Sequence, residues 1–207
     1  SLSVNGRTPQ GRKVVRRLAA TADILLANMR PGATNRMGIG TESLAVLNPD
    51  VIESHVTGFG TEGAFSHRAG VDPLAQAWMG LQRAQGGRER PPVFLAQLAP
   101  TDFAAGAMGA LGAVMGLFSR ARTGQGQRVD TNLLNSGALL SAGAFTKYKD
   151  KPKRRLADRD HHGLGALHRL YHTSDGWIYI VSELENQWQA LCEAMKRQDL
   201  LIDRRFS

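Results

Sequence analysis

The chain has 207 residues, 42% of them hydrophobic and 21% charged, the balance of an ordinary globular protein rather than a disordered or fibrous one. Its single cysteine, Cys192, excludes a disulfide framework and a cysteine-rich metal site, and its longest uncharged run, Phe103–Ser119, is 17 residues, short of the roughly 20 a membrane span needs. The net charge of +8 suits an anionic partner, but no zinc-finger spacing, RNA-binding signature or helix-turn-helix accompanies it, so no nucleic acid and no membrane are expected.

Thr8-Pro-Gln-Gly11 opens a capped helix over 12–22, with Thr8 at the N-cap, Pro9 in the first turn, and Val14, Val15, Leu18 and Ala19 on one face. Residues 23–27 (Asp-Ile-Leu-Leu-Ala) read as a short buried parallel strand. The strand ends in Asn28-Met-Arg-Pro-Gly32, a loop of the kind that carries ligand contacts in α/β sheets. A short helix at 41–48 and a second strand at 51–57 follow, the strand closed by Gly58-Phe-Gly60. Residues 72–85 have helical character and lead to a polar turn at 86–90.

Ala99-Pro-Thr-Asp-Phe-Ala-Ala-Gly106 places one carboxylate, Asp102, at the mouth of the long uncharged segment. Gly106, Gly109, Gly112 and Gly116 then recur every three or four residues and form one stripe on a helix. Each glycine costs about 1 kcal/mol relative to alanine inside a helix, so the stripe must serve close backbone packing or close approach of a ligand. The helix dipole favours an ionised Asp102 in the first turn, as a carboxylate nucleophile requires. The alternative is an aspartate N-cap on a tightly packed core helix. Residues 124–126 turn into a strand at 127–131 and an apolar helix at 133–145, and this alternation argues for an α/β domain with a largely parallel sheet.

The domain reading is a large domain over 1–146, an exposed basic connector over 147–166, and the beginning of a smaller α+β domain over 167–207. The last part holds two β segments around Ser174-Asp-Gly176, a hairpin signal, and an amphipathic helix at 187–195 that buries Cys192. Trp78, Trp177 and Trp188 read as packing residues. The chain opens on Ser1 with no signal segment and closes on Ser207 with no terminal feature, which suits a piece of a longer, cytoplasmic protein.

Eight landmarks occur in one order: Asn28-Met-Arg-Pro-Gly32, Arg36-Met-Gly38, Asn48-Pro49, Gly58-Phe-Gly60, Gly70-Val-Asp-Pro73, Asp102-Phe-Ala-Ala-Gly106, Arg122-Thr-Gly-Gln-Gly-Gln127 and Asp175-Gly-Trp177. Together, and across essentially the whole chain, they resemble the family III CoA-transferases, the group that includes formyl-CoA transferase, carnitine-CoA transferase and the α-methylacyl-CoA racemases. The resemblance implies a Rossmann-like large domain, a smaller second domain and two chains interlocked as linked rings. It implies Asp102 as the active-site carboxylate, acyl-CoA and a carboxylic acid acceptor as substrates, and no tightly bound cofactor or metal. For CoA it points to Arg7, Asn28, Met29, Arg36 and the turn of Gly58, Phe59 and Gly60. Met29 stands where the family usually has an aromatic residue.

The family also contains racemases, whose acid–base pair is this aspartate and a histidine before the Asp of Gly70-Val-Asp-Pro73. Val71 occupies that place and cannot carry a proton. His67 reads as a solvated turn residue and His55 as a packed or hydrogen-bonded one. His161, His162, His168 and His172 read as surface or interdomain contacts. The transferase reading therefore leads, with an α-methylacyl-CoA racemase-type epimerase and a non-catalytic acyl-CoA-binding subunit as alternatives.

Overall fold

In the computed structural model, which describes residues 1–87 and 89–204, Thr8 caps helix α1 (Pro9–Ala19) by accepting a hydrogen bond from Gly11 N–H at 3.0 Å. The chain then enters strand β1 (Ile24–Ala27), helices α2 (Ala33–Met37) and α3 (Thr41–Leu47), and strand β2 (Ile52–Thr57). Helices α4 (Asp72–Trp78), α5 (Leu81–Gly86) and α6 (Pro100–Thr123) precede strand β3 (Gln127–Asn132) and helices α7 (Leu133–Leu140) and α8 (Ala142–Phe145). The single helix expected over 72–85 is two, broken where Gly80 takes a positive φ of 70°. Of the expected turn at 86–90, Arg88 lies outside the described residues.

Strands β1, β2 and β3 pair in that order, all parallel, with Ile24 opposite Ile52 and Ile52 opposite Gln127. The α/β class holds. Period-2 alternation sends the two faces of the sheet to different layers. On one face Ser54, Val56, Val129 and Thr131 meet α6. On the other, Leu25 joins Ala19, Ile39, Leu44 and Val51 in a core beneath α1 and α3. A polar set shares that second face: Glu53 and His55 are buried against each other at 2.5 Å, and Arg128 holds Asp130 at 2.7 Å and the Thr41 hydroxyl at 3.0 Å. Burial alone pushes the Glu53 carboxyl up, but hydrogen bonds from His55 and Thr41, with the charges of His55 and Arg128, carry it below its ordinary value.

The glycine stripe explains how α6 seats. Cβ atoms at Gly109 and Gly116 would lie 2.9 Å from Val56 Cγ2 and 2.8 Å from Ile52 Cγ2, and one at Gly112 would collide with Val129. Since α6 moves from Val56 toward Ile52 as its numbering rises, it runs antiparallel to β2. Its N-terminus therefore lies at the carboxyl ends of the strands. Among the described residues, α6 is the one helix long and apolar enough to cross a membrane; here it is a layer of the α/β unit, seated on β2 and β3 by its glycine face.

Strand β1 departs from the expectation of burial. Leu26 is 60% exposed and Ile24 is 37% exposed. An apolar run identifies a strand without saying how many of its faces are covered, and α6 lies over β2 and β3 rather than β1. Val14 and Leu18 on α1 are likewise exposed, while Ala19 is buried.

The chain forms two compact units, Ser1–Leu81 with Phe94–Lys147, and Gln82–Val93 with the chain from Tyr148 onward. The second unit contains an antiparallel sheet of β4 (Gly163–Gly165), β5 (His168–His172) and β6 (Trp177–Val181), followed by helix α9 (Glu185–Ala194) and a 3-10 turn at Gln198–Ile202. Thr173 N–H donates to Gly176 O at 2.8 Å across the Ser-Asp-Gly turn, closing the expected hairpin. Trp188 and Cys192 are buried on α9, whereas Trp177 is exposed beside His162 and His172.

Candidate functional site

Parallel sheets place ligand chemistry at the carboxyl ends of their strands, because the loops there are free of the hydrogen-bond ladder and helix N-termini converge on them. Three groups of the residues singled out from sequence come to this edge in the first unit. Asn28 and Met29 follow the last residue of β1, both exposed. Gly58, Phe59 and Gly60 follow the last residue of β2. Asp102 stands in the first turn of α6.

Arg36 lies on α2, which caps on Gly38 at a φ of 75°. Its guanidinium folds back over the loop after β1, with Nη1 3.3 Å from where a Cβ on Gly32 would sit. Both Arg36 and Arg7 are exposed. The turn carrying Arg7 meets α2 through Gly6, where a Cβ would come 2.9 Å from Met37 Sδ. Arg36 thus lies by the loop that begins with Asn28 and Met29, and the Arg7 turn meets the far end of the same helix.

The turn after β2 divides its labour. Gly58 has no room for a side chain, because its backbone lies directly against that of Gly70. Gly60 takes a positive φ of 95°, and its N–H donates to Thr57 Oγ1 at 3.0 Å. Phe59 is half-buried in an aromatic group with Phe65 and Trp78, its centroid 6.1 Å and 5.7 Å from theirs, and Arg68 sits 4.8 Å above the Phe65 ring. Edge-to-face contacts of this kind hold rings without burying them fully, which accounts for Trp78 remaining 47% exposed.

Asp102 is not the N-cap. That place belongs to Ala99, which adopts a left-handed conformation with φ of 36°, followed by Pro100. Thr101 is fully buried, while the Asp102 side chain is exposed and, among the described residues, accepts no hydrogen bond. The helix dipole alone would hold its pKa down. Crowding by surrounding protein, with the like charge of Asp72 added, pushes it above the ordinary aspartate value instead. One turn further on, Gly106 is exposed and a Cβ there would meet nothing within 4 Å. A free carboxylate beside an open stretch of helix can reach an electrophile that approaches the backbone closely.

Among the described residues no histidine is hydrogen-bonded to Asp102: His55 is bonded to Glu53 on the face of the sheet away from α6, His67 is exposed, and Val71 is 54% exposed just before α4. Sequence reasoning passed over Asp72. It is buried, and its carboxylate accepts hydrogen bonds from Thr101 N–H at 2.9 Å, the Thr101 hydroxyl at 2.6 Å and Gln76 Nε2 at 2.5 Å. Its place in Gly70-Val-Asp-Pro73 was visible, but no local pattern announces a partner 29 residues away.

The family model for CoA-transferase family III matches residues 1–207. The chain is 33% identical over 207 residues to the succinyl-CoA:glutarate CoA-transferase of Mus musculus, covering 100% of this chain and 47% of that one. It is 35% identical over 198 residues to the alpha-methylacyl-CoA racemase of Homo sapiens, covering 92% of this chain and 50% of that one. Among solved structures, a CAIB/BAIF family protein from Brucella suis superposes with a TM-score of 0.79 at 31% identity, covering 100% of this chain and 54% of that one. A hypothetical protein from Mycobacterium tuberculosis gives 0.83 at 27% identity, with 100% and 55% covered. The chain spans about half the length of the curated relatives it matches.

Proposed function

The chain belongs to CoA-transferase family III, and we propose that it carries the active-site carboxylate of an enzyme moving CoA from an acyl-CoA thioester to a carboxylic acid. The observation that carries this reading is Asp102: exposed, without a hydrogen-bond partner among the described residues, in the first turn of α6 at the carboxyl edge of the sheet, one turn from the open backbone at Gly106.

Asp102 attacks the thioester carbonyl; the C–S bond breaks and CoA leaves as thiolate, giving an aspartyl mixed anhydride. The thiolate attacks the aspartyl carbonyl, releasing the donor acid as its carboxylate and leaving an aspartyl-CoA thioester. An acceptor carboxylate repeats the first exchange in reverse sense, expelling CoA thiolate, which then takes the acceptor's acyl group and restores Asp102. Each covalent step replaces one difficult exchange by two easier ones. Arg36 and Arg7 supply permanent charge for the CoA phosphates, with Asn28, Met29 and the Gly58-Phe59-Gly60 turn flanking the nucleotide. CoA enters as substrate rather than resident cofactor. The full-length protein works as an interlocked homodimer in the cytoplasm on this reading.

A racemase reading draws on the 35% identity to the human alpha-methylacyl-CoA racemase, and against it stands Val71. One experiment separates the readings. The full-length protein is incubated with a panel of acyl-CoAs, succinyl-CoA first because several relatives are named for it, and quenched with hydroxylamine before mass spectrometry. Modification at Asp102, absent from Asp102→Ala, is the transferase result. Deuterium entering the α-carbon of the acyl group without an adduct is the racemase result. CoA binding with neither leaves a non-catalytic acyl-CoA-binding subunit.

A further inference from the structure

Asp72 is a buried carboxylate that the transfer chemistry above does not use, 4% exposed and held by three donors. Its donor Gln76 is itself fully buried and uses its own carbonyl oxygen to accept Leu95 N–H at 3.2 Å, tying α4 to the segment that leads into α6.

The start of α6 explains why such a group is needed. A helix leaves its first amides without intrahelical acceptors, and the N-cap side chain ordinarily accepts from the second or third of them. Here the cap is Ala99, which has no side-chain acceptor, and the next residue is Pro100, which has no N–H. Thr101 is thus the first residue of the helix with an amide to satisfy. Asp72 accepts that N–H and the Thr101 hydroxyl with the same oxygen, Oδ1. On its far side Thr101 packs against α7, its Cγ2 3.2 Å from where a Cβ on Gly137 would stand. Thr101 is therefore locked on the inner face of the turn while the next residue, Asp102, points outward.

We propose that Asp72 is a positioning residue for acyl transfer: by capping α6 from α4 it holds the first turn in the one orientation that presents Asp102 to the thioester. The proposal rests on the reading of Asp102 as the acyl-accepting carboxylate. Asp72 also acts through its charge, which disfavours ionised Asp102 in the same sense as the crowding around that group. Among the described residues the other elements against this turn add no ionisable side chain: α7 has none, residues 94–99 have none, and Asp72 is the only one on α4.

Three variants of the full-length protein test it: Asp72→Asn, Asp72→Ala and Thr101→Val, each checked for folding by circular dichroism. Asp72→Asn keeps an oxygen for Thr101 and removes the charge, and it sets its own NH2 against Gln76 Nε2. It should move the acid limb of Asp102 labelling, and the midpoint of the Asp102 carboxyl in an NMR titration, to lower pH. Asp72→Ala releases the turn and should lower kcat about 10²-fold, the loss that a misplacement of about 1 Å produces, with KM for acyl-CoA changed by less than about threefold. Thr101→Val keeps the N–H and loses only the hydroxyl, so its kcat should fall by about tenfold or less and its pH profile should stay in place. Folded Asp72 variants with wild-type kcat and an unmoved acid limb, while Asp102 still takes the label, would overturn the proposal and leave the transfer reading standing. Absence of the label on wild-type Asp102 is a different result: it removes the transfer chemistry and Asp72's part in it together.

Discussion

The two ends of α6 use the same residue type for opposite purposes. From Gly109 to Gly116 the helix is pressed on β2 and β3, and each missing Cβ is filled by a neighbour's side chain, Val56, Val129 or Ile52. Among the described residues the missing Cβ of Gly106 is filled by nothing, and Asp102 stands one turn away with a carboxylate that accepts no hydrogen bond. A stripe that looks uniform in sequence is three packing positions and one vacancy. Glycine spacing reports that a helix face must be thin. Whether protein or substrate approaches it depends on what stands opposite each position: Ala105, beside Gly106, is still buried in a cluster with Ala75 and Leu133, whereas a Cβ on Gly106 would meet nothing within 4 Å.

Substitutions can break or sharpen that contrast. The largest effect is expected from Asp102→Ala, which should remove the covalent adduct and lower turnover by at least about 10³-fold, measured by acyl transfer in the full-length protein. Gly112→Ala comes next. Its methyl enters the space held by Val129 Cγ1, and overpacking of this kind costs about 1–3 kcal/mol, read from denaturant midpoints at constant slope. Gly106→Ala reverses the sign, gaining up to about 1 kcal/mol from helix propensity while slowing labelling of Asp102. Equal destabilisation by the two alanines would dissolve the contrast.

The smallest effect concerns charge. The Asp102 carboxyl is raised above its ordinary value of 3.8, so between that value and its folded-state pKa the folded protein holds the proton more firmly than the unfolded chain. Stability on this account falls as pH rises through that window, and at neutral pH the ionised group is a cost. Asp102→Asn should therefore melt slightly above wild type at pH 7, with the gain closing as pH drops below the ordinary aspartate range. A melting difference independent of pH would refute that electrostatic account.

Local patterns carried much of this protein into view. Thr8-Pro9 announced α1, the order of strands and helices announced the α/β class, and the Ser-Asp-Gly turn announced the β5–β6 hairpin. Asp102 was legible as the lone carboxylate at the head of the uncharged run 103–119. What stayed hidden depends on groups far apart in the chain. Asp72 reads locally as an acidic residue at the start of α4, and its role exists only because Thr101 lies beside it. Leu26 reads as buried because a strand's apolar run does not say which neighbours cover it. Glu53 drew no attention at all, since an isolated acidic residue in a strand gives no sign of the His55, Thr41 and Arg128 that receive it.

The backbone contact between Gly58 and Gly70 has one more consequence. It pins together the two ends of the loop that spans residues 59–69, so the loop leaves the sheet and returns to it at almost the same point. The entropy of closing such a loop grows only with the logarithm of its length. The loop's entry and exit are thus set by the glycine pair, while its rings, Phe59 and Phe65, rest on Trp78 at the end of α4 and tie the loop's interior to that helix. A change of loop length between the two glycines would therefore leave its points of departure and return where they are, and act first on the ring contacts with Trp78.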